Sequence, residues 1–283
     1  MNTTQMNATT MKVNPANLVN SLRFSFTNST TTLSELMQNA RRAQATRVNF
    51  HYCPETKVLQ VSDDGGGIDS IETLLSVAES GWDADLIVRE HPFGIGFLSA
   101  LFACRHLSVI SKSGSIAVDT GEVLAFQPVT ITPIKDWDGI TTITLLEVNL
   151  EADNIASALR RFARGFPIPV LFNGENLERP AAMDSGLDFV ATDIGAVYLH
   201  GLQEPMGAQY DFELFLQGLP IYSSRSFFSS ERHIIHLDSA KYHARLSDRD
   251  KLVDEDEVIR QVRHMLAVEI EQRLLLLKAA LPP

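Results

Sequence analysis

Apolar residues at Leu33, Leu36, Met37, Ala40 and Ala43 recur at helical spacing, with Glu35, Asn39 and Arg42 on the opposite face. The period then changes to two. Val48, Phe50 and Tyr52 alternate with polar residues, residues 53–56 supply a turn, and 58–62 form a second strand that ends in Asp63-Asp64-Gly65-Gly66-Gly67. The predicted order is helix, hairpin, glycine turn. A further helix is predicted over 70–80. A polar connection then leads to Pro92, and Phe93-Gly94-Ile95-Gly96-Phe97 opens an apolar helix ending near Cys104. Segments 107–112, 116–120, 124–128 and 141–147 have the pattern of strands in one antiparallel sheet, which makes this half α+β. A helix over 153–164 precedes Gly165-Phe166-Pro167-Ile168-Pro169, whose glycine and prolines mark a boundary. Strands are then predicted near Val170, Ala196, Phe212 and Ile234, with a closing helix over 254–278 whose apolar run Leu274 to Leu277 is expected to be buried or dimer-facing. The chain thus divides into a flexible polar tail at 1–14, mobile or ordered by a partner, an α+β domain at 15–165 and a smaller α+β domain at 166–283.

Composition matters mainly for what it excludes. With 283 residues, 45% of them hydrophobic, the chain has room for one or two packed domains and is not disordered over its length. Its longest apolar stretches, 98–104 and 274–281, fall short of the roughly 20 residues that cross a bilayer, so no membrane span is expected. The Thr- and Asn-rich start holds neither an apolar core of a signal peptide nor an Arg-rich amphipathic stretch, which makes the expected location cytoplasmic. Cys53 and Cys104 lack Cys-x-x-Cys spacing and are expected as reduced core thiols. The net charge of −11 does not indicate DNA as a partner and leaves that role to a local basic patch.

Three short patterns carry chemistry. Glu35 and Asn39, at i and i+4, share a helical face about 5–6 Å apart at Cβ, close enough to serve one ligand or metal ion. The competing reading is a capping box, Thr32-x-x-Glu35, in which Glu35 only secures a helix start. Asp63-x-Gly65-x-Gly67 follows a strand; its glycines allow close backbone approach to a ligand, and its carboxylate can accept from an exocyclic amine. The alternative is a plain tight turn. Gly94-x-Gly96 opens a helix, where free N–H groups and the dipole favour phosphate. It lacks the Lys-Ser/Thr of a Walker loop, and Ser99 stands where a dinucleotide fingerprint has its third glycine.

Taken in this order, the patterns resemble the GHKL ATPases, the superfamily of ninety-kilodalton heat-shock chaperones, MutL, type II topoisomerase ATPase subunits, MORC proteins and histidine kinases. Glu35 to Ala40 resembles the N box, Asp63 to Gly67 the first glycine box and Gly94 to Phe97 the second. The run from Gly94 to Ala100, continuing to Val109-Ile110-Ser111-Lys112, is similar to the chaperone form. Asp138-Gly139-Ile140-Thr141-Thr142-Ile143 resembles the last box, with Thr141 and Thr142 both open as its threonine because Ile140 intervenes. The resemblance covers about 15–150 and implies an α+β Bergerat sandwich: a mixed, mostly antiparallel sheet with helices on one face. It implies ATP and Mg²⁺ as ligands. Asp63 would read the adenine amine and Gly67 approach the base, with Gly65 and Ile68 alongside. Asn39 would hold Mg²⁺, Glu35 would act as general base, and Gly94, Ile95, Gly96 and Phe97 would cradle phosphate beneath a short lid at 69–93.

The second half resembles, more distantly, the transducer domain of MutL and topoisomerases. There Ser239-Ala240-Lys241-Tyr242 is similar to a segment whose lysine reaches the γ-phosphate, with Arg249 and Lys251 as alternatives and a solvated charge run as the plain reading. The absence of a phosphoacceptor segment upstream of Glu35 argues against a sensor kinase. Two classes follow. One is a slow Mg-dependent ATPase whose nucleotide closes a homodimer, acting on a protein client or with a partner subunit. The alternative is a nonhydrolysing nucleotide-binding switch or interaction module; the presence of Glu35 favours the first.

Overall fold

The computed structural model describes residues 10–24, 26, 29–77, 96–200, 211–224, 232–245 and 251–280. Helix α1 (Pro15–Arg23) starts where Asn14 accepts the Asn17 N–H at 3.1 Å, with proline in its first turn. In α2 (Thr31–Arg42) the apolar positions predicted from spacing, Leu33, Leu36, Met37 and Ala40, are all buried. The hairpin of β1 (Val48–Cys53) and β2 (Val58–Asp63) pairs Val48 with Asp63 and Cys53 with Val58. A 3-10 turn (Ile71–Leu75) follows, then α3 (Gly96–Ala103), the hairpin of β3 (His106–Ser111) and β4 (Gly114–Asp119), the short α4 (Thr120–Leu124), β5 (Thr141–Leu146) and α5 (Ala152–Ala163).

Two segments depart from the expected pattern. Residues 124–128 form no strand, because the Asp119 carboxylate accepts the N–H groups of Gly121 (2.9 Å) and Glu122 (3.2 Å) and turns the chain into α4. The helix expected over 70–80 is a 3-10 turn in its described part. The Thr73 hydroxyl donates to the Ser70 carbonyl and the Ser70 hydroxyl to the Glu72 carboxylate, local bonds that compete with a longer α-helix.

The first sheet has seven strands in the order β4-β3-β5-β2-β1-β6-β7, where β6 (Val170–Phe172) and β7 (Glu175–Asn176) lie beyond the Gly165–Pro169 segment. Its pairings are antiparallel except β1 with β6, which run parallel with Val48 opposite Val170. The prolines therefore mark a turn inside this sheet, and Phe166 and Val170 belong to its core. One face packs Phe50, Leu59, Leu107, Val109 and Leu145 against α2, α3 and α5; emptying a site such as Phe50, which is fully buried, costs about 3–5 kcal/mol.

The second sheet, with β8 (Val190–Thr192), β9 (Gly195–Tyr198), β10 (Phe212–Leu216), β11 (Leu219–Ser223) and β12 (His233–Leu237), has the order β11-β10-β12-β9-β8. Helix α6 (Glu255–Ala280) supplies Val258, Val262, Leu266 and Ile270 at four-residue spacing to the core it shares with Phe212, Leu214 and Ile235. Leu274 to Leu277, expected to be covered, are 44–71% exposed in this single chain. Two contacts tie this sheet to the end of α5: Arg164 forms an ion pair with Glu213 at 3.0 Å, and Gly165 leaves room for the Phe215 ring.

Candidate active site

The sheet register assembles one end of the site. Because β2 pairs antiparallel with β5, Asp63 stands opposite Thr141 and Ser62 opposite Thr142, and paired residues present their side chains on the same face. Thr141 is buried and Thr142 half-buried, so it is Thr141 that joins Asp63. Asp63 Oδ1 accepts from the Gly65 N–H at 3.0 Å. Burial pushes the Asp63 carboxyl above the ordinary carboxylate range, with the Gly65 bond partly opposing it and the neighbouring Asp64 charge adding to it. Burial also acts on Asp64, but hydrogen bonds from Thr46 and the Arg47 N–H outweigh it and hold that carboxyl low. Adjacent carboxylates are thus set apart: one is anchored on the outside of the turn and one turns inward.

The glycine turn docks on the last turn of α2. Gly66 N–H donates to the Ala43 carbonyl at 2.8 Å, and a Cβ at Gly65 would stand 2.7 Å from that same oxygen, so only glycine fits. Gly67 has φ +74°, with the Trp137 ring and the Lys112 stem packed on it. Lys112 pairs with Asp69 at 2.6 Å, and Trp137 Nε1–H donates to the Ile140 carbonyl at 2.7 Å. Ile68 N–H donates to Ser111 Oγ at 2.9 Å, and Ser111 Oγ lies 2.8 Å from Thr141 Oγ1.

Helices form the other end. Glu35 is the fifth residue of α2 and only 4% exposed. Its carboxylate lies against Gly96 of α3, where an added Cβ would collide with Oε2 and stand 2.9 Å from Cδ. The capping-box reading does not hold: α2 begins at Thr31, and the Thr32 hydroxyl donates to the Ser99 carbonyl at 2.8 Å, fastening α2 to α3. Asn39, one turn on from Glu35, is half-buried, with Arg42 Nη1 at 3.5 Å from its Oδ1. Gly94 and Ile95 lie outside the described residues, as does most of the 69–93 segment; the Phe97 ring belongs to the first core.

Between these ends and the second sheet, Gln38, three residues after Glu35 and 1% exposed, donates from Nε2 to the Gln217 carbonyl at 3.0 Å. Gln217 and Gly218 form the β10–β11 turn with φ of 53° and 81°. Lys241 lies on the exposed turn after β12, and its Nζ donates to the Asp193 carbonyl at 2.7 Å. Lys251 is exposed, and Arg249 lies outside the described residues. Three residues were not singled out for the site from sequence: Gln38, Ser111 and Trp137. Ser111 stands within the chaperone-like Val109–Lys112 run and Trp137 directly before the last box, but only strand register and loop geometry reveal what they touch.

Among the described residues no helix is long and apolar enough to cross a membrane, and no three His, Cys, Asp or Glu side chains converge as a metal site. No curated protein matches the chain. Residues 27–123, which run from just before α2 to α4, match the family of histidine kinase-, DNA gyrase B- and HSP90-like ATPases. The match takes in Glu35, Asn39, Asp63 and Gly65 to Gly67, and together with a seven-stranded mixed sheet backed by helices on one face it supports membership of the GHKL ATPase superfamily for this part of the chain.

Proposed function

We propose that the chain binds ATP with Mg²⁺, hydrolyses it slowly, and uses the nucleotide to close a homodimer. The observation that carries this reading is the buried Glu35 carboxylate lying against Gly96, where the second glycine box meets α3. A carboxylate held there, one turn from Asn39, is suited to take a proton from water attacking a phosphate bound at that helix start. Asp63 accepts from the exocyclic amine of adenine, Thr141 joins it from β5, and Gly67 lets the backbone approach the base. The residues from Gly94 to Phe97 offer backbone N–H groups to phosphate.

Asn39 suits Mg²⁺, a hard cation that takes oxygen ligands and usually keeps phosphate oxygens and water around one or two protein groups. Mg²⁺, when bound, neutralises charge on the phosphates. Lys241, or Arg249 or Lys251, supplies a positive charge to the γ-phosphate when the second domain closes. The polar amino-terminal arm then crosses to the other protomer. In this reading the part of 166–283 beyond β7 acts as a transducer, and the contact from Gln38 to the Gln217 turn supports its coupling to α2.

The test measures ATP turnover with Mg²⁺ together with solution mass in ADP and in a nonhydrolysable ATP analogue. A dimer with the analogue, a monomer with ADP and measurable turnover are expected. A nucleotide-dependent mass change without turnover would favour the nonhydrolysing switch, and no response to nucleotide would sink both.

A further inference from the structure

Ser111 ends β3 and is fully buried. Its Oγ accepts the Ile68 N–H at 2.9 Å and lies 2.8 Å from Thr141 Oγ1, itself buried. A serine hydroxyl carries one proton, and a buried donor left unused costs about 1–3 kcal/mol. Thr141 Oγ1 is the hydroxyl oxygen within reach of that proton. When Ser111 donates to it, the proton of Thr141 is released to point onward, on the face that β5 shares with Asp63.

The direction matters because Asp63 and Thr141 must play opposite roles. A base that offers an amine beside a ring nitrogen needs one acceptor and one donor side by side. Asp63, already receiving the Gly65 N–H on Oδ1, is the acceptor. With its oxygen accepting from Ser111, Thr141 keeps its own O–H turned away from Ser111 and available as the donor. We infer that Ser111 is a positioning residue: the chain from Ile68 N–H to Ser111 to Thr141 fixes the Thr141 hydroxyl as a donor toward the ring nitrogen next to the amine, directly or through one water. The same bond ties the first glycine turn to β3, so base reading and turn geometry share one side chain. This inference rests on the ATP-binding reading given above.

The test compares binding of Mg-ATP with Mg-1-deaza-ATP, in which the ring nitrogen beside the amine is replaced by C–H, on the full chain. The parent is expected to prefer ATP by about five- to tenfold, the scale of one neutral hydrogen bond. Ser111→Ala should lose most of that preference, weakening ATP but leaving 1-deaza-ATP within about twofold, and Ser111→Thr should restore it. In a Thr141→Val background Ser111→Ala should cost no further ATP affinity. If Ser111→Ala weakens both nucleotides alike, or adds fully to Thr141→Val, Ser111 only supports the turn and the inference fails. Should Ser111→Ala not fold, Ser111→Cys keeps the shape with a weaker donor, and an undiminished preference there overturns the inference equally. Failure of the underlying reading looks different: the parent then binds neither nucleotide, or Asp63→Asn binds ATP as the parent does.

Discussion

The two ends of the site are built from different materials. Asp63, Thr141 and Ser111 sit on three adjacent strands and are placed by ladder register, Asp63 opposite Thr141 and Ser111 opposite Gly114 of β4. Glu35 and Asn39 sit on one helix, and what places them is the packing of that helix against α3 and the Gln217 turn. A strand residue cannot move relative to its partner without breaking backbone bonds. A helix, in contrast, can shift as a body when a neighbour moves. In the proposed reading, the strand-borne end, which reads the base, stays constant through a nucleotide cycle while the helical end, which carries Glu35, responds to the second sheet.

The largest expected effect strikes the helical end. Glu35→Ala should lower turnover about 10²-fold or more with ATP affinity kept, as loss of a general base does, and steady-state kinetics beside equilibrium binding check it. Gly96→Ala should imitate it, because the new methyl group drives into the Glu35 carboxylate. Unchanged turnover in both would reduce Glu35 to a packing residue and remove the hydrolytic end from the comparison.

An intermediate effect is expected at the strand end. Asp63→Asn should weaken ATP about 5- to 100-fold, read as loss of the ATP-dependent rise in melting temperature. Because burial raises the Asp63 carboxyl, the folded chain holds this proton more tightly than the unfolded chain does. The side chain therefore favours the fold at acid pH and opposes it as pH climbs from the ordinary carboxylate value through the raised one. Two measurable outcomes follow. Without nucleotide at neutral pH, Asp63→Asn should melt no lower than the parent, and ATP stabilisation of the parent should fade on acidification at a higher pH than an ordinary carboxylate allows.

The smallest effect tests whether the second domain reaches the site. Lys241→Ala should weaken a nonhydrolysable ATP analogue a few-fold while leaving ADP affinity within about twofold, since only the former carries a γ-phosphate. Lys241 now donates to the Asp193 carbonyl, so its part in the site requires that bond to open. Arg249→Ala and Lys251→Ala belong in the same titration. A loss confined to either moves the sensor, and equal indifference of all three separates the second domain from hydrolysis.

What the sequence made legible follows the same division. The β1–β2 hairpin could be read because one face is buried against a single core, so its period is clean; in α2 the apolar residues recur at helical spacing, but Ser34, Glu35, Gln38 and Arg42 are buried as well, which the spacing did not show. Residues 124–128 could not, because an apolar alternation says nothing about the carboxylate of Asp119 one turn earlier. Thr141 and Thr142 were indistinguishable as letters; pairing with β2 separates them. Thr32 looked like the partner of Glu35 three residues on, but its hydroxyl bonds to Ser99, 67 positions away. Local spacing proposes partners, and only the tertiary fold decides between near and distant ones.

The parallel pairing of β6 with β1 has a practical consequence for anyone dissecting this protein. A fragment cut at the Gly165–Pro169 turn would lose β6 and β7 and bare the backbone of β1, a strand otherwise held by Val170 to Phe172 and by Asn173, whose side chain accepts the Tyr52 N–H at 2.8 Å. Such an open strand edge, rich in valine, phenylalanine and tyrosine, is a template for self-association. A fragment ending after Leu177 keeps the edge covered and should remain dispersed where the shorter one aggregates.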